Sequence, residues 1–253
     1  MSRVDYDVAL EVASHEAVIR QAYKDSVGKW TWSVGLTSAT GHNVERYIDN
    51  PQPLQRCLDV YVWALGNYAR QVDEAFAGHT LTKAQYAAAC SFQWNTGAIK
   101  VAAWVKHFKA GDVAKARKAF MNYSKPPEIK GRREKERDLF FDGVWSNDGT
   151  MVEYTRLTSR HTPDWSSARR IDVSKELRAA FGHAVVADHA PLPAAKVDQP
   201  TLSPRKDDLP PPTPVPRPPL PSPRQTGIAA AIAAAFAAVG AAVYGWFAGL
   251  WPF

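Results

Sequence analysis

Apolar positions in the first half of the chain recur mostly at helical spacing. Val8, Val12, His15, Ile19 and Tyr23 follow one another at intervals of three or four residues, which predicts an amphipathic helix that carries Glu16 and ends near Asp25. Ser26 and Gly28 interrupt it. The β-favouring run Trp30–Val34, bounded by Gly35 and Gly41, predicts a small sheet or hairpin of two or three short strands. Beyond Pro53 the helical period resumes with Leu54, Leu58, Val62 and Leu65. Thr82 followed by Gln85 has the form of a capping box, and the largely apolar body Tyr86–Trp94 predicts a central buried helix. Gly97, Gly111 and Pro126-Pro127 separate later helices, the last of which carries Arg132, Arg133, Glu136, Arg137, Leu139 and Phe140. Residues 1–142 therefore read as an α+β domain, mostly helical, with one small β element.

The pattern changes after residue 142. Residues 143–190 hold three aromatics, Trp145, Tyr154 and Trp165, which imply some packing, and Asp172 or Ser174 is placed to cap a short helix through Phe181. This segment reads as an extension docked on the domain. From Pro191 to Pro223 the chain holds 13 of its 19 prolines. Proline removes backbone donors and fixes φ, so 191–226 is expected to be a disordered, partly polyproline II linker. Fully extended, it would reach about 100 Å. A single globule of 253 residues is thereby excluded. Residues 227–250 contain no charged side chain: 11 Ala, 4 Gly and 9 larger apolar or aromatic residues. As a helix they would span about 36 Å, enough to cross a hydrocarbon core of ~30 Å. With Trp246, Trp251 and Phe253 near one end, they read as a transmembrane helix, and Gly245 and Gly249 form a weak helix-association pair.

Charge and cysteine content narrow the chemistry. The net charge of +6 is uneven: Lys100–Arg137 holds 12 Lys/Arg against 4 Asp/Glu, a face suited to an anionic polymer. Charge alone does not separate nucleic acid, an acidic wall glycan and a solvated helical surface. Cys57 and Cys90 sit among apolar neighbours and read as buried reduced thiols. The seven histidines show no ligand spacing with them, and there is no glycine-rich phosphate loop, so neither metal nor cofactor is expected.

One constellation carries chemistry. Glu16 is followed after eight residues by Asp25 and after five more by Thr31. Glycosidic cleavage needs an acid that protonates the leaving oxygen and a second carboxylate that supports water or forms a covalent intermediate. The stretch Glu16–Thr31 closely resembles the opening of the phage-type lysozymes, the glycoside hydrolase family 24 muramidases. Two further blocks resemble that family in the right order, Leu81–Gln85 continuing into Ser91–Gly97, and Gly131–Phe140. The resemblance covers residues 8–142 and implies a lysozyme-like fold. It implies that Glu16 is the general acid, that Asp25 activates water or stabilises the transition state, and that Thr31 orients that water. It also implies an arginine of the late helix paired with Glu16, for which Arg133 is preferred over Arg132 by its spacing to Phe141. Arg133, Trp32, Trp94 and Gln93 complete the candidate set as substrate-binding or supporting residues, the two tryptophans as platforms for sugar faces. The sequence departs from the family at Ala17, where glycine is usual, and at Trp32 and Leu36 in the strand after Thr31.

The implied reaction is hydrolysis of the β-1,4 bond between N-acetylmuramic acid and N-acetylglucosamine in peptidoglycan. The implied setting is an endolysin-like enzyme anchored to the bacterial inner membrane through residues 227–250, with no nucleic-acid partner. Alternatives are a host wall-remodelling muramidase and a glycan-binding module without activity. Arg217 and Arg224 precede the span and no side-chain charge follows it, which orients the catalytic domain toward the cytoplasm. Dependence on a membrane-disrupting holin would reconcile that orientation with a periplasmic substrate. The N-terminus shows no basic region followed by an apolar run, so no cleavable leader is expected.

Overall fold

The computed structural model describes residues 3–182. The proline-rich linker and the apolar stretch 227–250 lie outside the described residues. The chain opens with α1 (Tyr6–Ser14), whose first turn is capped by the Asp5 carboxylate accepting from the Val8 N–H at 3.1 Å. The helix stops two residues before Glu16. From Ala17 to Lys24 the chain is a strand, β1, and not the continuing helix that the spacing predicts.

The misreading has a physical cause. β1 pairs antiparallel with β2 (Trp30–Ser33), Ile19 opposite Ser33 and Tyr23 opposite Thr31, so four residues of β1 advance against two of β2. A four-residue interval such as Ile19 to Tyr23 returns to one face in a strand as in a helix. The irregularity, with Ala17–Ile19 and Ala22–Tyr23 buried in runs, removes the two-residue alternation that would tell the two apart. Pairing on both edges of β1 then decides in favour of the strand. β3 (Leu36–Thr37) completes the hairpin, as the run after Trp30 predicts.

The helices follow the periodicity more closely. α2 (Leu54–Ala75) buries Leu58 and Leu65. α3 (Lys83–Thr96) begins with the expected capping box, Thr82 and Gln85 satisfying one another's backbone amides, and is buried on most faces. α4 (Ala103–Lys109), α5 (Val113–Phe120) and α6 (Lys130–Asp142) close around it. Phe76, Phe92, Trp104, Phe108, Phe120 and Phe140 meet there at ring separations of 4.6–6.3 Å. Cys57 and Cys90 are buried free thiols, and burial pushes the Cys57 thiol up to about 12.

Residues 143–182 extend the sheet. β4 (Thr150–Tyr154) lies parallel to β1, and β5 (Ala168–Asp172) runs antiparallel to β4, giving the order β3-β2-β1-β4-β5. The sheet therefore has five strands where two or three are predicted. α7 (Ser174–Ala180) buries Leu177 and packs on α2 and α1. Its N-cap is Val173, without a side-chain cap, so neither Asp172 nor Ser174 caps it as the sequence predicts. The Asp172 carboxylate instead accepts from the Ser174 N–H at 2.8 Å in the turn before the helix. Two buried carboxylates fasten this segment to the rest. Glu11 accepts from the backbone N–H groups of Ser146 and Asn147 and from both their side chains, and lies 3.5 Å from His15. Glu153 holds Arg20 at 2.5 Å and Arg169 at 2.7 Å. Among the described residues no helix is long and apolar enough to cross a membrane.

Candidate active site

Glu16 occupies the abrupt passage from α1 to β1, its N–H closing the helix onto the Ala13 carbonyl at 2.9 Å. Its side chain is buried, 4% exposed, and one oxygen accepts from the Arg132 Nη1 of α6 at 2.5 Å. The other faces Gly35, where an added Cβ would lie 3.9 Å from Glu16 Oε2. Gly35 has φ +82°, a conformation that side chains rarely adopt, so glycine lets the β2–β3 turn pass close to the carboxyl.

The partner is Arg132, and not Arg133 as the spacing to Phe141 suggests. Adjacent residues on a helix point about 100° apart, so the rotation of α6 selects between them. Arg133 is turned into the helical core. Its guanidinium lies over the Phe92 ring at 4.7 Å, donates to Asn95 Oδ1 at 2.5 Å and is ion-paired with Glu136. Glu136 also accepts from Arg132 Nε at 2.8 Å and from the Ser91 hydroxyl at 2.6 Å. Arg132 thus bridges two buried carboxylates.

Their electrostatics differ. Burial pushes the Glu16 carboxyl up; Arg132 opposes this, and the negative Glu136 offsets part of the Arg132 attraction, so Glu16 stays raised. Burial would push Glu136 up as well, but Arg133 and Arg132, with His15 and the Ser91 hydrogen bond, hold it below the ordinary carboxylate range. Two neighbouring carboxyls are therefore driven apart, the protonated form favoured at Glu16 and the ionised form at Glu136. His15 contributes from the end of α1, beside Glu11, and not from a separate face of a helix through Glu16.

Asp25 sits in the turn between β1 and β2. Oδ1 accepts from the N–H groups of Val27 at 3.0 Å and Lys29 at 2.8 Å, which locks the side chain to its own turn. Oδ2 is left 3.5 Å from the Thr31 hydroxyl of β2, which also lies 3.3 Å from the Lys29 carbonyl. Buried Tyr23 connects the two carboxyls electrostatically. Burial first, then the charges of Glu16 and of Asp25, keep its phenol protonated far above the usual range. The arrangement accordingly sets a buried carboxyl whose neutral form is favoured at one end of β1, and a second carboxyl with the Thr31 hydroxyl at the other.

The remaining candidates divide. Trp94 is half-buried, its ring 5.2 Å from that of Tyr61 and 4.9 Å from that of Tyr68, and keeps a partly exposed surface. Trp32 is fully buried, stacked on Tyr47 at 4.0 Å with its indole N–H donating to the Arg20 carbonyl at 2.9 Å, so it has no face for a sugar. Gln93 is also buried: it accepts from the Ile99 N–H at 2.9 Å and donates to Gln71 at 3.0 Å, shaping the end of α3. Sequence reasoning missed Tyr23, Ser91 and Glu136 as neighbours of the site. In the sequence Tyr23 reads as one position of an apolar face, and Glu136 as one charge in a helix rich in charges. Among the described residues, no group of three His, Cys, Asp or Glu side chains could hold a metal ion.

Residues 13–136 match the family model described as Phage lysozyme, a span that contains Glu16, Asp25, Thr31 and Arg132. The chain is a lysozyme-type glycoside hydrolase. In fold it is similar to the endolysin from Escherichia coli O157:H7 phage FAHEc1, at 21% identity and a TM-score of 0.50, over 58% of this chain and 98% of that one. Weaker overlaps are with the active form of the P1 phage endolysin Lyz (19% identity, TM-score 0.46, 56% of this chain and 86% of that one) and with the muramidase domain of SpmX from Asticaccaulis excentricus (19%, 0.44, 53% and 93%). No curated protein matches the chain.

Proposed function

We propose that this protein is a peptidoglycan hydrolase that cleaves the β-1,4 bond between N-acetylmuramic acid and N-acetylglucosamine. The observation that carries the reading is a buried Glu16 whose neutral form burial favours, with Asp25 at the opposite end of β1 and its Oδ2 3.5 Å from the Thr31 hydroxyl of β2. Glu16 donates its proton to the glycosidic oxygen as the bond to the anomeric carbon breaks. Asp25 stabilises the developing positive charge or takes the proton of the incoming water, and Thr31 orients that water. The partly exposed Trp94 offers an apolar face to a sugar ring.

The composition of residues 227–250 supports an inner-membrane anchor, and the linker 191–226 supports a tether long enough to reach periplasmic peptidoglycan. An endolysin-like enzyme, released when a holin opens the membrane, fits that arrangement. Partition of the full chain into the membrane fraction, lost on deletion of 227–250, tests the anchor.

The reaction is tested by incubating purified peptidoglycan with the full chain and with Glu16→Gln, followed by identification of the new reducing ends. Muramic-acid reducing ends from the parent and none from the variant are expected. A well-folded parent that pellets with peptidoglycan but releases no reducing ends would make it a glycan-binding module.

A further inference from the structure

The catalytic turn is gripped from outside the family-matched span. β4 pairs with β1 only at Ala17–Val152 and Val18–Glu153. The strands then part around a cavity of about 200 Å³ bordered by Gln21 and Tyr154 among others. The chain returns to the edge of β1 at one point, where the Lys24 N–H donates to the His161 carbonyl at 2.7 Å. Lys24 is the residue before Asp25. Its partner in the β1–β2 register is Trp30, the last pair before the turn. The His161 ring meets the Trp30 ring edge-on at 5.4 Å, and the Lys24 ammonium lies 5.3 Å from the centre of the same indole. The segment thus touches both strands at the root of the loop that carries Asp25.

The gripping segment is itself built. Leu157 and Pro163 form a bridge at its base. The Thr158 N–H donates to the Thr162 carbonyl at 2.8 Å, the His161 N–H to the Thr158 carbonyl at 2.9 Å, and the two threonine hydroxyls meet at 2.7 Å. Below it, Arg156 is ion-paired with Asp164 at 2.9 Å. His161 takes φ +61°, left-handed for a residue that is not glycine, and its Nε2 lies 3.3 Å from Asp49 Oδ1. The family match ends at residue 136, so the contact belongs to what this chain adds to the lysozyme domain.

We propose that the segment 157–163 is a clamp on the catalytic turn and that His161 is a positioning residue for Asp25. The proposal rests on Asp25 acting in the hydrolysis described above. Holding Lys24 and Trp30 fixes the backbone donors that aim Asp25 toward Thr31, and misplacing a catalytic group by about 1 Å costs on the order of 100-fold in rate.

The test compares His161→Ala, His161→Asn and Trp165→Ala in the full chain. His161→Ala removes the edge contact and the Asp49 pair and puts Ala in the left-handed region. Asn tolerates that conformation, so it keeps the backbone that presents the residue-161 carbonyl to the Lys24 N–H. Trp165 packs on Tyr154 at 5.0 Å outside the segment 157–163. His161→Ala should lower kcat on peptidoglycan about tenfold with KM within about twofold, His161→Asn should restore most of it, and Trp165→Ala should leave kcat unchanged. Amide exchange at Lys24 and Lys29 should accelerate about tenfold in His161→Ala alone. Equal loss of kcat in Trp165→Ala, or unchanged exchange at Lys29 in His161→Ala, overturns the clamp. If the parent lyses nothing, the proposed function falls, while the exchange measurement still decides whether His161 holds the turn.

Discussion

The Arg132 guanidinium lies 2.5 Å from the Glu16 carboxyl, yet Glu16 is held above the ordinary carboxylate range. Burial exceeds the attraction because Arg132 also serves Glu136, 2.8 Å from its Nε. The proposed acid role of Glu16 is compatible with its arginine neighbour on that basis: the cation holds the carboxyl while a second carboxylate offsets part of its charge.

Replacing Glu16 by Gln should separate activity from stability. The proton donor is lost, so kcat should fall by about 100-fold or more. Stability should move the other way. A carboxyl raised in the folded state contributes stability that is present below its unfolded pKa and lost as pH rises through its folded pKa. Glu16→Gln removes that loss, so above the raised range the variant should melt at or above the parent's Tm. Thermal unfolding across pH checks this; a variant that is less stable at every pH contradicts it.

Arg132→Gln should shift the pH dependence. On the proposed mechanism Glu16 must be protonated to act, so activity declines as pH rises through its pKa. Without Arg132 that carboxyl rises further, and the basic limb of kcat/KM should move to higher pH. The variant also leaves buried Glu136 with Arg133 alone, at a cost of about 3–5 kcal/mol in unfolding free energy. A basic limb that stays put or moves down would show that Arg132 does not govern Glu16.

Thr31→Val should retain the fold and lose about 10- to 100-fold in kcat, with Thr31→Ser close to the parent. The β-branched shape is conserved by valine and the hydroxyl by serine. Steady-state rates on purified glycan strands distinguish the two, and equal activity of the valine variant would remove the hydroxyl from the mechanism.

Glu11 predicts an acid-sensitive joint between α1 and the 143–182 segment. Burial would push its carboxyl up, but hydrogen bonding and charge from His15 and the donors of Ser146 and Asn147 outweigh it and hold the pKa at about 2. A lowered carboxyl contributes stability present above its unfolded pKa and lost as pH falls through the folded one. Between pH 4.5 and 2 the parent should therefore lose on the order of 3 kcal/mol that Glu11→Gln never had. Denaturant titrations of both proteins over that window provide the measurement.

Residues 1–142 alone should unfold or aggregate, and residues 1–190 should melt cooperatively. Truncation after 142 strips β4 from β1, uncovers the faces that Leu177 and Val173 bury, and leaves Glu11 without its donors. A cooperative transition for 1–142 in a thermal melt would contradict this.

Elements whose signals are local were legible from the residues alone. Thr82 and Gln85 start α3 through a cap made within one turn, and Leu54, Leu58 and Leu65 announce α2 because a long helix repeats its period several times. The spacing of Glu16, Asp25 and Thr31 was legible for a similar reason: all three lie on one helix end and the hairpin that follows. Long-range pairing decided β1, whose irregular match with β2 hides the two-residue alternation of a strand and whose second edge is filled by β4, about 130 residues later in the chain. Tertiary structure decided between Arg132 and Arg133, since the rotation of α6 is set by what that helix packs against and by no feature of the two neighbouring arginines. It also turned Trp32 into the core, where Tyr47 covers a ring that the sequence offers equally well to a sugar. In each case the deciding contact joins residues far apart in sequence, and no local pattern carries it.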